Sequence, residues 1–549
     1  MKKSLLLILV LLMNLSAQKN VAIFSNARVY TQDPAQKWAE AVVTEGPRIV
    51  YVGSNKEAMK HNIAGAVIID LQGKLVLPGF IDNHTHFIAG GFYLNGLDLR
   101  GAKQITQFIS MIEDYAVKYP GKWITGGDWD HEAWEIKELP DKSWIDRYTP
   151  NTPVFVSRFD GHMGLANSYA LKLAGITKDT PSPEGGLIVK DPLTGEPTGM
   201  LKDNAMNLVF GVIPSSSEEE YLRAAESALA EANRYGVTSV QDITYSKDLE
   251  IYQRLENENK LTCRIYTRTP VDDYQSLVNK NIRTGSGSDF LRMGSLKGFA
   301  DGSLGSSTAW FFEPYAQDPG TSGLPNDIIT DGRLRQWAID ADKNHLQLCI
   351  HAIGDKANDY ILGMYEEIAK INPQWDRRFR IEHAQHIRFE DIPRFKNAGV
   401  IASVQPYHCI DDGVWAERRI GPERIKYTYP FRSFLDQGVR LCFGTDWTVA
   451  PINPLLGIYA AVTRRTLDGK NPEGWIPEQK LTVEEAVQCY TINSAYAAFE
   501  ENIKGSLERG KLADMVVLDK NIFEIKPEEI QNTNVVMTIL GGKIIYEKK

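Results

Sequence analysis

The middle of the chain repeats a unit in which a helical pattern ends at a glycine and a short apolar run follows. Residues 215–235 carry apolar positions at helical spacing and stop at Gly236, before the apolar run 237–242. The same junction recurs at Gly399 and Gly438. Such continuous apolar runs are typical of strands that are buried on both faces of a helix-covered parallel sheet. The pattern predicts an α/β fold, a distorted (β/α)8 TIM barrel.

The two ends of the chain follow a β pattern instead. Residues 21–31 and 41–53 form short β-type runs near the amino terminus. Near the carboxyl terminus, the runs 535–540 and 543–546 flank a Gly-Gly pair, which is a hairpin signal. We therefore predict that residues 18–74 and 499–549 form one composite β-sandwich domain.

The segment assigned to the barrel domain is too long for a plain barrel. It covers residues 75–498, whereas a (β/α)8 barrel needs about 250 residues. The excess predicts an inserted subdomain at about residues 90–213, a stretch rich in Trp and Gly.

The first residues have the pattern of a secretory signal peptide. Lys2 and Lys3 precede the apolar run 5–13, and small residues follow at Ser16-Ala17. A membrane anchor is the competing interpretation, but a bilayer span needs roughly 20 apolar residues. We predict that residues 1–17 are removed near Ala17-Gln18, and that the periplasmic or secreted product has no stable membrane insertion.

Composition narrows the range of partners. The chain has 549 residues, of which 43% are hydrophobic, and its formal net charge is −9. The hydrophobic fraction is enough for a large core. The net negative charge argues against nucleic-acid binding, which requires a basic surface. The expected partner is a small-molecule substrate. A homodimer is expected only by analogy with other barrels of this kind.

Polar residues at the ends of the predicted strands carry the candidate chemistry. An apolar run leads into His84 and His86, which lie on the same side of a strand because strand side chains alternate. Taken alone, this pair is equally compatible with a solvated or core position. The other strand-end groups are Lys297, His351, His383 and Asp446. Because catalytic residues converge at the carboxyl ends of barrel strands, the set predicts a metal site there.

Six motifs also occur in one order along the chain. They are residues 78–86 (PGFIDNHTH), 160–168 (DGHMGLANS), 297–306 (KGFADGSLGS), 351–357 (HAIGDKA), 381–383 (IEH) and 444–446 (GTD). With these motifs, nearly the whole mature chain resembles the amidohydrolase superfamily, and more narrowly its amidohydrolase-3 branch, which includes N-substituted formamide deformylases. The likeness is specific for fold and metal chemistry and much less so for substrate.

The resemblance implies a role for each strand-end group. His84, His86 and Asp446 are the implied ligands of one divalent ion, His351 and His383 of a second, and Lys297 bridges them as a carbamate formed with CO₂. A free ammonium has no lone pair to offer a metal, which agrees with carboxylation. The alternative is that Lys297 pairs with an acid such as Asp301 and that one ion binds. Imidazoles with carboxylates suit zinc, and iron and manganese stay open as alternatives.

Metal chemistry then predicts the reaction. Bound ions acidify a water molecule and polarise a carbonyl, so that hydroxide attacks. Asp446 is the predicted proton carrier from that water to the leaving nitrogen. The predicted protein is an exported, metal-dependent hydrolase that cleaves the amide or formamide C–N bond of a small N-acyl compound.

Three further residues are candidate substrate contacts. His162 lies in a motif that resembles a substrate-facing position of the branch, and Arg158 is near it in sequence. A structural histidine in the insert is the alternative for His162. Asp355 is predicted to orient a ligand or the substrate carbonyl, or else to cap the following helix.

Other functions on the same scaffold stay open. Ester or carbamate hydrolysis uses the same metal hydroxide. A deaminase that resembles adenosine deaminase would carry Glu three residues after His351, whereas this chain has Gly354. Loss of a metal-ligating residue would indicate a non-catalytic metal- or ligand-binding barrel, and all six predicted metal-ligating residues are present.

Overall fold

The computed structural model describes residues 20–131, 134–136, 138–158, 163–183 and 186–549. Its centre is a sheet of eight parallel strands that follow one another in chain order, which confirms the predicted TIM barrel. The first to eighth barrel strands are Phe80–Thr85, Val237–Ile243, Arg264–Pro270, Leu291–Phe299, Gln347–Ala352, Arg380–His383, Ile401–Val404 and Leu441–Phe443.

The barrel closes between its eighth and first strands through backbone contacts just beyond the eighth strand. The Asp446 N–H donates to the His84 carbonyl at 2.7 Å, and the His86 N–H donates to the Trp447 carbonyl at 2.7 Å. These hydrogen bonds join the strand ends that carry three of the predicted ligands.

Helices follow the strands and cover the barrel. The first crossover ends with the helix Glu218–Arg234, which begins at a capping box between Ser217 and Glu220. The other main helices around the barrel are Phe87–Asn95, Ser246–Asn257, Tyr274–Asn279, Arg333–Lys343, Asp355–Ile371, Ile392–Ala398, Pro406–Asp412, Ala416–Arg424, Phe431–Asp436, Pro454–Thr463, Val483–Cys489 and Ile492–Ala497. Their apolar sides and the strands share one large core.

Strands from both chain ends form two further sheets. One contains, in order, Arg48–Gly53, Ala41–Glu45, Val21–Ser25 and Val67–Asp70. The other contains, in order, Lys543–Glu547, Val535–Leu540, Met515–Leu518, Leu75–Pro78, Arg28–Tyr30 and Trp38–Ala39. A shared core of residues such as Phe24, Val42, Met515 and Ile539 lies between the two sheets.

The barrel begins five residues later than the predicted boundary at residue 75. Leu75–Pro78 pairs with Met515–Leu518 in the terminal sheet, and the first barrel strand starts at Phe80. Between them, the Gly79 N–H donates to the Asp514 carbonyl. The run divides at Pro78-Gly79 because proline has no N–H to continue a ladder and glycine permits a close approach.

The inserted segment forms a separate six-stranded sheet. Its strands, in order, are Leu97–Asp98, Gly126–Trp129, Phe155–Arg158, Met163–Ala166, Pro197–Asp203 and Gly186–Lys190, and Ile105–Lys118 is its longest helix. The sheet begins later than residue 90, the predicted start of the insert. Helix Phe87–Asn95 belongs to the barrel layer, because Gly91 lies so close to helix Glu218–Arg234 that a Cβ would be 1.8 Å from the Ala224 carbonyl oxygen.

The division into domains and the signal peptide stay predictions. Residues 1–17 lie outside the described part of the chain. Within that part, no helix combines the length and apolar character that a membrane crossing requires.

Candidate metal centre

The predicted ligands converge at the carboxyl ends of the barrel strands. His84, His383 and Asp446 are buried, and each offers a ligand atom within 4.8 Å of the others. The Nε2 atoms of His84 and His86 lie 3.5 and 3.3 Å from the same Asp446 oxygen, Oδ1. The first and eighth strands therefore bring together the three residues expected to share one ion.

The other two predicted ligands adjoin this group. Lys297 is buried, and its Nζ lies 3.2 Å from His84 Nε2. The rings of His351 and His383 have centroids 4.4 Å apart. All six predicted ligands thus belong to one continuous cluster of side chains.

Two of these residues adopt left-handed backbone conformations. The φ angle is 71° at His383 and 57° at Asp446. Such angles are uncommon for residues with a Cβ and are concentrated at functional sites, where the surrounding structure holds them.

The protonation states of the cluster suit metal binding. Burial, with the charge of Lys297 adding to it, lowers the pKa of His84 to about 4 and that of His351 to about 3. Burial also lowers the pKa of His383 well below its usual range and that of Lys297 to about 8. Burial opposes ionisation of Asp446, yet the imidazoles around it, His84 first, hold its pKa well below the usual range.

Neutral imidazoles beside an ionised carboxylate fit a divalent metal ion, because metal ligands must be deprotonated. The buried Nδ1 of His383 has no hydrogen-bond partner among the described residues, which is unusual for a buried polar atom. The donor chemistry and this unpartnered nitrogen agree with a metal site.

Two buried acids outside the predicted set of site residues hold this framework. Asp82 accepts hydrogen bonds from the backbone N–H groups of His84 and Thr445 and from the Thr445 hydroxyl. Asp301 accepts from the N–H groups of Ile353, Gly354 and Trp310. Both Asp301 and Lys297 are described, and they form no ion pair, so the alternative pairing considered for Lys297 is not found.

The sixth strand and the helix after the seventh strand add two residues without a predicted role. Glu382, which precedes His383, lies 2.5 Å from His84 Nδ1 through its Oε2. His408 stacks on His383 at 6.3 Å with an interplanar angle of 12°, and its buried Nε2 has no hydrogen-bond partner in the described ranges. The sequence signals were an acid inside the Ile-Glu-His motif and a histidine four residues after the strand Ile401–Val404.

The three predicted substrate contacts have different outcomes. Arg158 pairs with Asp130 at 2.9 Å in the insert. Asp355 lies in the first turn of its helix and accepts the Phe312 N–H at 2.9 Å, without capping that helix. His162 lies outside the described residues. Substrate binding by these residues stays a prediction.

A cavity of about 170 Å³ borders His86. Its walls are mostly apolar or aromatic and also include one acid; besides His86 they comprise Ile88, Ala89, Phe92, Tyr221, Ile243, Tyr245 and Asp248. It therefore offers a mainly apolar space next to a predicted ligand.

Comparisons with known proteins agree with this site. The model of the Amidohydrolase family matches residues 67–546. Protein LONG AFTER FAR-RED 3 of Arabidopsis thaliana is 38% identical over 95% of this chain and 91% of its own length. The N-substituted formamide deformylase of Arthrobacter pascens is 30% identical over 95% of this chain and 98% of its own length.

A solved structure supports the same assignment. The crystal structure of an uncharacterized metal-dependent hydrolase from Pyrococcus horikoshii OT3 matches with a TM-score of 0.79 at 30% identity, covering 92% of this chain and 99% of that chain. The predicted resemblance is thereby confirmed. The chain belongs to the amidohydrolase family and is a metal-dependent hydrolase that acts on C–N bonds.

Proposed function

We propose that this protein hydrolyses the amide or formamide C–N bond of a small N-acyl compound. The observation that carries the proposal is the buried cluster of His84, His383 and Asp446 at the barrel mouth. The similarity to an N-substituted formamide deformylase over nearly the whole chain supports the substrate class. The mainly apolar cavity beside His86 offers room for a small substituent.

The proposed cofactor is zinc, as one or two ions. The residues that would hold it are His84, His86, Lys297, His351, His383 and Asp446. When bound, a divalent ion supplies Lewis acidity that polarises the scissile carbonyl and activates water. Lys297 is proposed to act as a carbamate, which requires a neutral Nζ to attack CO₂ and release a proton. Its burial and its contact with His84 support this role.

Asp446 is the proposed proton carrier. Its Oδ1 lies next to the Nε2 atoms of His84 and His86, at the centre of the cluster. The carboxylate accepts a proton from the attacking water and gives it to the leaving nitrogen. His86 is more exposed than His84 and Asp446, with 34% of its side chain accessible. Substrate is therefore expected to approach the cluster from the side of His86.

The substrate class is tested by hydrolysis assays on the purified full chain. N-substituted formamides, N-acyl amines, carbamates and esters of matched size are compared by kcat/KM. We expect the formamides or N-acyl amines to be hydrolysed with the highest kcat/KM. A clear preference for esters or carbamates would contradict it.

Export and a homodimer are also part of the proposal. The signal pattern at residues 1–17 supports export, and analogy with other barrels supports the dimer. Amino-terminal sequencing of the protein from a native host is expected to begin at Gln18. Recovery of intact Met1 in the cytoplasmic fraction would contradict export.

A further inference from the structure

We propose that Glu382 is a positioning residue that fixes the His84 imidazole so that its Nε2 faces the metal centre. This inference depends on the metal site of the proposed function. Glu382 has no exposed surface, and its Oε2 lies 2.5 Å from His84 Nδ1. It lies on the sixth barrel strand, whereas His84 lies on the first, so the contact crosses the barrel interior.

The contact determines which nitrogen of His84 carries the proton. An ionised carboxylate only accepts hydrogen bonds, so the proton must be on Nδ1. The lone pair of Nε2 is then free, and Nε2 is the atom near Lys297 Nζ at 3.2 Å and Asp446 Oδ1 at 3.5 Å. Gln405 Nε2 also approaches His84 Nδ1, but at the longer distance of 3.3 Å.

An ion pair and a further hydrogen bond hold the same carboxylate oxygen in place. Arg268 Nη1 lies 2.8 Å from Glu382 Oε2, and the Ser403 hydroxyl donates to it at 2.7 Å. The Asn83 side-chain amide donates to the Ser403 oxygen at 3.1 Å, which leaves the hydroxyl hydrogen for Glu382. Two hydrogen-bond donors, His84 and Ser403, and one ion-pair partner, Arg268, thus converge on one oxygen from different strands and fix its position relative to His84.

Stability alone is a poor explanation for this arrangement. Arg268 is also fully buried, and a buried ion pair commonly adds no more stability than apolar side chains of the same volume. By contrast, a carboxylate behind a ligating imidazole sets the ring orientation and raises the basicity of the ligand. The placement of the pair directly behind His84 therefore indicates a role in metal binding.

The test is the affinity of the full mature chain for zinc, measured by competition with a chromophoric chelator. Glu382→Gln keeps the side-chain volume and removes the charge, so zinc affinity is expected to fall about 10- to 100-fold. Ser403→Ala removes one of the two hydrogen bonds that the carboxylate oxygen accepts and is expected to give a smaller loss of zinc affinity. If Glu382→Gln does not fold, the Ser403→Ala result decides the proposal.

Asp342→Asn is the matched control. Asp342 is fully buried and accepts from Arg377 Nε at 2.8 Å and from Trp375 Nε1 at 2.6 Å, with no contact to the cluster. This variant is expected to unfold at a lower temperature and to bind zinc with wild-type affinity. If Glu382 had a purely structural role, Glu382→Gln and Asp342→Asn would bind zinc with the same affinity.

Wild-type zinc affinity in folded Glu382→Gln, or an equal loss in Asp342→Asn, would overturn the positioning role and leave the metal site intact. Failure of the wild-type chain to bind zinc would overturn both proposals. The two failures are therefore distinguishable in one set of titrations.

Discussion

Asp446 has two proposed roles, as a ligand and as the proton carrier. Asp446→Asn keeps the shape of the side chain but cannot accept a proton at neutral pH. Because general acid–base catalysis contributes about 10²- to 10⁴-fold, kcat is expected to fall by that factor. The measurement is kcat on a responsive N-acyl substrate with the metal content determined in the same sample. Asp468→Asn, on an exposed turn, is the control, and an unchanged kcat in Asp446→Asn would contradict the assignment.

Gly444 provides a second test at the residue scale, because it packs against the backbone that carries His84. A Cβ at this position would lie 2.5 Å from Asn83 Oδ1 and 2.6 Å from His84 N. Gly444→Ala is therefore expected to displace the first strand, to cost about 1–3 kcal/mol of stability and to lower metal content.

The control for this variant is Gly101→Ala, where no atom lies within 4 Å of the added Cβ. Thermal unfolding and elemental analysis of both variants check the prediction. Equal metal content in the Gly444 and Gly101 variants would contradict the expected displacement of His84.

At the residue scale, residue type and position predicted that the six candidate ligands would converge, because each lies at or just beyond the end of an apolar run at the same barrel face. Metal binding by these residues stays a prediction. Glu382 and Asp82 were not assigned a role, since their functions depend on partners in distant strands. Glu382 contacts a residue 298 positions away, and Asp82 contacts Thr445 across 363 positions. Spacing within one motif contains no information on such pairs.

At the scale of elements, a buried ion pair joins the terminal sheets to the barrel. Arg264, on the third barrel strand, donates to both oxygens of Asp514 at 2.7 and 2.9 Å. Removing one member of such a pair leaves a buried charge, so Asp514→Ala is expected to destabilise the protein by about 3–5 kcal/mol. The urea midpoint relative to wild type is the measurement. A midpoint within error of wild type would show that this pair does not hold the sheets to the barrel.

The effect of Asp514 on stability is expected to depend on pH. Burial raises the pKa of its carboxyl, but Arg264 outweighs burial and holds it below the usual value. A lowered folded-state pKa gives stability that is present above the unfolded-state pKa of about 4 and is lost as pH falls through the folded-state value. The difference between wild type and Asp514→Ala should therefore shrink at acid pH, and a difference that grows there would contradict the assignment.

Element boundaries were less predictable than element types. The apolar run from Leu75 to Ile81 reads as one strand, yet it supplies strands to two sheets. The predicted insert begins at about residue 90 and therefore includes part of the helix Phe87–Asn95. This helix packs on Glu218–Arg234, and the sequence pattern does not show a contact between segments so far apart in the chain. Both differences arise from tertiary packing that local patterns do not contain.

At the scale of the whole molecule, the barrel, the terminal sheets and the family followed from the sequence, whereas the substrate did not. The predicted ligands lie at the ends of barrel strands, where the sequence pattern places them. The cavity beside His86 has walls from the helix Phe87–Asn95, from Tyr221 and from the start of the helix Ser246–Asn257. Its shape depends on how these elements pack together.

The most direct test of the proposed metal site is elemental analysis of metal per chain on full mature protein purified without chelators. We expect one or two equivalents of a divalent metal, with zinc as the main element. His383→Ala removes a buried member of the cluster and should lower that number. A wild-type chain that holds no metal, even after zinc and bicarbonate are added, would contradict the proposed metal site.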